Sequence, residues 1–236
     1  MNWFSDLFKK KNNDASVKKT EAPVPTPAPI VITMGTPLPT GRNRNFIDIS
    51  HQNDSVDLPS LKSQALVILK CTQRIDFSDN RFQSRWIGLK ALGIPRGAYH
   101  FYETAYDPIQ QAKFFLKNLG DIPKDEKIVL ALDFEVYEGH QGISDLIKHK
   151  PNALLFLKYV KDQTGIIPWI YVNEDEIIEC KFEAAFADYP LWLAKYSSQT
   201  PDDKQGPWSQ WTAWQYKENG KLSGVSGNVD MDIFHL

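Results

Sequence analysis

Two carboxylates one residue apart, Asp133 and Glu135 in the run IVLALDFE (128–135), are the sharpest chemical signal in the chain. The apolar residues before them read as a strand buried on both faces. Alternate strand residues face the same way, about 6.5–7 Å apart, so both carboxyls point into one space while Phe134 points to the opposite layer. Crowded carboxylates do not all ionise easily, and one keeps its proton to higher pH. A general acid beside an anionic partner is what cleavage of a glycosidic bond requires. The pair alone is common and reads more readily as a strand end with two solvated acids. Asp48 in FIDIS (46–50) and Asp230 in VDMDIF (229–234), which also carries Asp232, add weight. They stand on otherwise apolar strands, where an acid without a partner or role is costly.

Aromatic residues gather near the ends of the same runs: Tyr99, Phe101, Tyr102, Tyr171, Trp192, Tyr196 and Tyr216. Sugar rings present C–H faces that pack on aromatic rings. Their hydroxyls need hydrogen-bond partners, which Lys70, His100 and Gln215 could supply. Strand alternation assigns about half of the aromatics to the core instead. Other chemistries fit less well. Ser50 and His51 follow Asp48, but neighbouring strand residues face opposite ways, and no GxSxG turn occurs. The histidines, at 51, 100, 140, 149 and 235, show no HxH or HExxH spacing, so neither a metal nor a cofactor is expected. Cys71 and Cys180 read as buried small residues.

These residues need elements to position them, and the chain supplies a regular alternation from Phe46 onward. Eight strand candidates recur: 46–50, 65–70, 97–102, 128–135, 168–172, 190–194, 212–216 and 229–234. Helical spacing lies between several of them, over 81–92, 108–119 and 152–163, the second opened by Asp107 as N-cap and Pro108 in the first turn. Eight strands with interleaved helices predict a parallel β/α arrangement closing into an irregular TIM-like barrel. The helices before the last three strands are expected to be short or missing. A barrel of this kind carries its site at the carboxyl ends of its strands. On closure, the first and last strands become neighbours, which sets Asp48 beside Asp230. The rival, an open doubly wound sheet, lacks any GxGxxG or GxxxxGK[ST] turn.

The 236 residues include 27 Lys and Arg against 29 Asp and Glu, a formal charge of −2. A near-neutral chain has no global attraction to nucleic acid, so none is expected as partner. No apolar run approaches the ~20 residues of a membrane helix. Residues 1–45 read as a separate segment. Six prolines between Pro23 and Pro39 favour extended polyproline backbone, a semi-rigid linker. Before it, MNWFSDLFKKK places Trp3, Phe4, Leu7 and Phe8 on one helical face ahead of three lysines. Residues 1–11 read either as a peripheral anchor on an anionic membrane or docking peptide, or as a frayed terminus. The segment lacks the charge, apolar length and cleavage site of a secretory signal.

Residues 46–236 resemble the family 25 glycoside hydrolases, the Chalaropsis-type lysozymes of phage endolysins and bacterial autolysins. The resemblance is carried, in the family's order, by IDISH, VILKCT, GIPRGAYHFY, LALDFE, IPWIYV, YPLWLAKY, WTAWQY and GNVDMDIF. It implies an irregular β/α barrel that hydrolyses the β-1,4 bond between N-acetylmuramic acid and N-acetylglucosamine in peptidoglycan. It further implies retention of configuration with assistance from the substrate's 2-acetamido group. By motif, the family's acidic quartet falls on Asp48, Asp133, Glu135 and Asp230. Glu135 matches the general acid, and Asp133 the residue that orients the acetamido group. Tyr99, Tyr171, Trp192, Tyr196 and Gln215 match frequent cleft positions. Three departures stand out. Gln52 and Asn53 follow the Ser-His pair where an aromatic is common, Gln73 replaces a frequent acid, and the extra segment precedes the barrel. Taken with the missing secretory signal, the resemblance implies synthesis in the cytoplasm and action on the cell wall, as in host lysis by a phage or prophage enzyme or in a rival cell by an injected effector. A chitinase-like endo-N-acetylglucosaminidase and a non-catalytic glycan-binding barrel are the alternatives.

Overall fold

The computed structural model describes residues 44–122 and 126–235. The segment 1–11 and the proline-rich linker lie outside the described residues. The elements in chain order are β1 (Asn45–Ile49), β2 (Val67–Gln73), β3 (Phe77–Ser78), α1 (Phe82–Ala91), β4 (Arg96–Phe101), α2 (Pro108–Leu119), β5 (Val129–Asp133), α3 (Ile143–Thr164), β6 (Trp169–Asn173), α4 (Glu174–Cys180), β7 (Leu191–Ala194), β8 (Ala213–Gly220) and β9 (Val229–Phe234). Each of the eight expected runs forms a strand. The ninth strand, β3, is a two-residue piece folded back on the end of β2.

Eight strands close a barrel in the order β1, β2, β4, β5, β6, β7, β8, β9 and back to β1. Every neighbouring pair from β1 to β8 is parallel. β9 is antiparallel to both β8 and β1, which corrects the expectation of a parallel sheet throughout. The cause is the connection. Only residues 221–228 join β8 to β9, whereas a parallel return needs a crossover of about a dozen residues or more. The last strand therefore enters the barrel rim with its amino-terminal end, and it is Asp230 near that end that stands opposite Asp48.

Period-two alternation divides the strand side chains between two apolar layers. Phe46, Ile68, Ala131, Ala213 and Phe234 fill the barrel interior. Ile47, Leu69, Leu130, Leu132 and Val172 face outward, where Phe82 of α1, Phe115 of α2 and Phe156 of α3 cover them. Burying such a large aliphatic or aromatic side chain is worth about 1.5–3 kcal/mol, so these layers dominate the stability of the fold. α2 begins as expected: the Asp107 carboxylate accepts from the Gln110 N–H at 2.8 Å, and Pro108 occupies the first turn. α3 is longer than its spacing predicted. It starts at Ile143, nine residues before 152, and runs through Pro151. Its first turn is capped by Asp145, which accepts from the Gly142 N–H at 2.9 Å, and Leu146 and Lys150 are buried. Those contacts hold the first turns in place despite the proline's missing N–H. No helix lies between β7 and β8 or between β8 and β9.

Candidate active site

The backbone around Asp133 and Glu135 is held in the geometry the pair needs. β5 ends at Asp133, but the Phe134 N–H still donates to the Tyr171 carbonyl at 3.0 Å, so the extended path continues. Phe134 packs in the outer layer against Tyr102 and Phe182. Asp133 and Glu135 consequently face inward together. Two side chains secure the next step. Gln141 Nε2 donates to the carbonyls of Glu135 and Tyr102, each at 2.8 Å, while its Oε1 accepts from the Thr104 N–H at 2.7 Å. Glu176, in the first turn of α4, accepts from the N–H groups of Val136 (2.6 Å) and Asn173 (3.1 Å).

These elements open a cleft of about 1000 Å³ at the barrel rim. Asp48, Asp133, Glu135 and Asp230 all line it, with Tyr99, Phe101, Tyr171, Trp192, Tyr196, Gln215 and Lys70. Asp48 (β1) and Asp230 (β9) are direct cross-strand partners. Gln215 on the adjoining strand β8 is the hub: it accepts from Tyr171 Oη at 2.8 Å and Tyr196 Oη at 3.1 Å, and donates to Asp48 Oδ2 at 2.8 Å. Lys70 donates to Gln73 at 2.8 Å and lies 4.6 Å from the Phe101 ring centre. Gln73 in turn donates to Glu103 at 2.7 Å. Asp133 Oδ1 is buried and has no hydrogen-bond partner among the described residues.

Burial sets the protonation of the acids. It pushes Glu135 up to about 8, and the neighbouring Glu176 and Asp48 push the same way while Lys70 opposes. Asp230 rises to about 9 through burial, then Asp48 and Glu218. Burial and the Glu135 charge hold Asp133 well above the usual carboxylate range. Burial raises Asp48 only to about 6, because the hydrogen bond from Gln215 favours its anion. Burial lowers Lys70, against the pull of Asp133, Asp79, Glu135 and Glu103. At neutral pH the cleft thus holds a proton donor at Glu135 and an anion at Asp48.

Three residues weighed from sequence do not reach the cleft. His100 and Tyr102 sit on alternate positions from Tyr99 and Phe101 and turn into the outer layer. There His100 stacks on Phe156 and bonds Thr72 and Gln111. Tyr216 turns outward on β8 beside Trp214. His51 pairs with Asp79 rather than Asp48, at 3.1 Å. Cys71 and Cys180 are buried thiols. Conversely, Glu103 joins the site network with no signal in the sequence, and Asp232 and Gln73, noted there only in passing, join it too. Asp232 carried a legible signal, the same one-residue spacing from Asp230 that joins Asp133 to Glu135. The side on which Gln73 lies could not be read: it shares a side with Lys70 only because the pairing of β2 with β4 shifts register between Lys70 and Thr72.

A closed barrel with clustered, partly protonated acids in an aromatic-walled groove defines a carbohydrate-cleaving enzyme. Comparison with known proteins gives the same class and narrows it. The chain belongs to the glycosyl hydrolases family 25, whose model matches residues 47–225. It is 28% identical over 211 residues to lysozyme M1 of Streptomyces globisporus, covering 80% of this chain and 67% of that protein. It is 28% identical over 191 residues to the autolytic lysozyme of Clostridium acetobutylicum, covering 80% of this chain but 55% of the relative. The chain thus spans about half to two thirds of these two relatives. Among solved structures, the bacterial lysozyme from Streptomyces coelicolor superimposes with a TM-score of 0.73 at 27% identity, over 82% of this chain and 93% of that one.

Proposed function

We propose that the protein is a muramidase that cleaves the β-1,4 bond between N-acetylmuramic acid and N-acetylglucosamine in peptidoglycan glycan strands. The observation that carries this reading is the placing of Glu135 and Asp133 together on the wall of a sugar-sized cleft, with Asp48 and Asp230 in the same cleft; burial lets Glu135 keep its proton up to about 8. Glu135 gives its proton to the glycosidic oxygen as the C1–O bond breaks. The acetamido oxygen of the muramic acid attacks C1 from the other face, with its N–H held by the unpartnered Oδ1 of Asp133. Water then attacks C1 and displaces the acetamido oxygen, passing a proton to the Glu135 carboxylate and restoring the acid, with net retention. Asp48 and Asp230 hold sugar hydroxyls and set the field. Tyr99, Phe101, Tyr171, Trp192 and Tyr196 supply ring faces, and Lys70 and Gln215 supply polar contacts.

On this reading the protein acts at the cell wall after release or translocation from the cytoplasm, in lysis of the host cell. Residues 46–236 carry the catalysis, and residues 1–45 a linker with a peripheral membrane contact at 1–11. The test is mass spectrometry of muropeptides after digestion of purified peptidoglycan. Reducing-end N-acetylmuramic acid is expected. Reducing-end N-acetylglucosamine, or cleavage of chitin oligomers in preference to peptidoglycan, would replace the muramidase reading with a glucosaminidase. Wall binding with no new reducing ends would make the barrel a glycan-binding protein.

A further inference from the structure

One buried acid at the site has no part in the mechanism above. Asp232 is fully enclosed, at 0% exposure. On β9 it stands opposite Phe46 of β1 and Gln215 of β8, one pleat deeper in the barrel than Asp230. Its Oδ1 accepts from Trp192 Nε1 of β7 at 2.8 Å. Its Oδ2 meets no N–H or O–H donor among the described residues, and the carboxyl set next to it is that of Asp48, two residues along the facing strand β1 and bonded to Gln215, the β8 residue opposite Asp232. Two carboxylates both accept, so a bond between them exists only when one holds a proton.

We propose that Asp232 is a positioning residue that acts as a neutral acid, donating its proton to Asp48 and, with Gln215 on the other side, fixing Asp48 as an oriented anion in the cleft. This inference deepens the muramidase reading and rests on it only for the activity measured. The surroundings decide which partner keeps the proton. Asp48 has the Gln215 amide donor at 2.8 Å to stabilise its charge, and Asp232 has only the Trp192 indole. The charged and titratable groups facing the pair are Asp230 on β9, Asp133 and Glu135 from β5 and beyond, and Tyr99 on β4, while Tyr216 on β8 feels the Asp232 charge from the outer layer. The acids among them penalise a second negative charge. The cleft lysine, Lys70, takes its field from Asp133, Asp79, Glu135 and Glu103. Burial then holds Asp232 well above the usual carboxylate range.

An asparagine has the shape of the protonated acid: its N–H donates to Asp48 and its oxygen accepts from Trp192. Asp232→Asn is therefore expected to keep kcat/KM within about threefold and to leave the acid limb of the pH–rate profile in place. Asp232→Leu removes the donor. It is expected to lose about 10- to 100-fold and to move the acid limb upward by about one pH unit, because Asp48 no longer has its anion stabilised. Infrared difference spectroscopy at pH 7 needs no substrate. The C=O stretch of one protonated carboxyl should vanish in Asp232→Asn relative to the parent. An asparagine variant as impaired as the leucine one, an unmoved acid limb in Asp232→Leu, or an unchanged carboxylic-acid band in Asp232→Asn would each overturn the proposal. If the parent protein fails to cut peptidoglycan, the muramidase reading falls while the infrared result still reports on the shared proton.

Discussion

At the scale of the residue, the chemistry comes from burial acting on identical functional groups. Asp48 and Glu135 are both carboxyls in one cleft. The first has hydrogen-bond donors and sits at about 6, while the second has neighbouring negative charge and sits at about 8. Activity should therefore need Asp48 ionised and Glu135 protonated. The expected pH profile of kcat/KM on peptidoglycan is a bell with its plateau between about pH 6 and 8, the alkaline limb following the loss of the Glu135 proton. A rate that keeps rising beyond pH 9 would contradict this ordering. The residues in the cleft were legible because acids and aromatics on apolar strands are costly unless used. Their partners were less so. Gln73 reaches Lys70 across a register shift, and Glu103 lies past the end of β4, where alternation no longer tells which way a side chain points.

At the scale of the element, the site depends on a few side chains that tie strand ends to loops. Gln141 does most of this for Glu135, since its amide closes on two carbonyls and one N–H from separate segments. Gln141→Leu leaves all three buried groups without a partner. The expected cost is about 2–4 kcal/mol in a urea titration, with kcat reduced about tenfold as the Glu135 backbone loosens. Wild-type stability in this variant would remove Gln141 from the account. The eight barrel strands could be read from their apolar runs, and α2 from its Asp-Pro start. The direction of β9 could not, since a period-two pattern reads the same from either end and only the short 221–228 connection gives it away. The first half of α3 was missed because Pro151 mimics a helix start. Packing of Leu146 and Lys150 outweighs the proline here.

At the scale of the whole molecule, the clustered acids oppose stability and so mark a functional arrangement. Glu135 keeps its proton in the fold up to about pH 8, whereas the unfolded chain releases it near its ordinary value of 4.5. Its contribution to stability is thus fully present below about pH 4.5 and is lost as pH rises through about 8. Asp48 and Asp230 act in the same direction. The parent protein should become less stable between pH 5 and 9, and Glu135→Gln, which cannot ionise, should escape part of that loss. Differential scanning calorimetry should find the variant's Tm advantage near zero at pH 4 and at about 3 °C or more by pH 9. An advantage that is constant or shrinks with pH would mean that Glu135 is charged in the fold. The measurement that tests the central claim most directly uses the same variant. Glu135→Gln should lower kcat/KM on purified peptidoglycan by about 10²- to 10⁴-fold while its circular dichroism spectrum stays that of the parent. A folded Glu135→Gln protein that solubilises peptidoglycan at the parental rate would contradict the assignment of Glu135 as the acid.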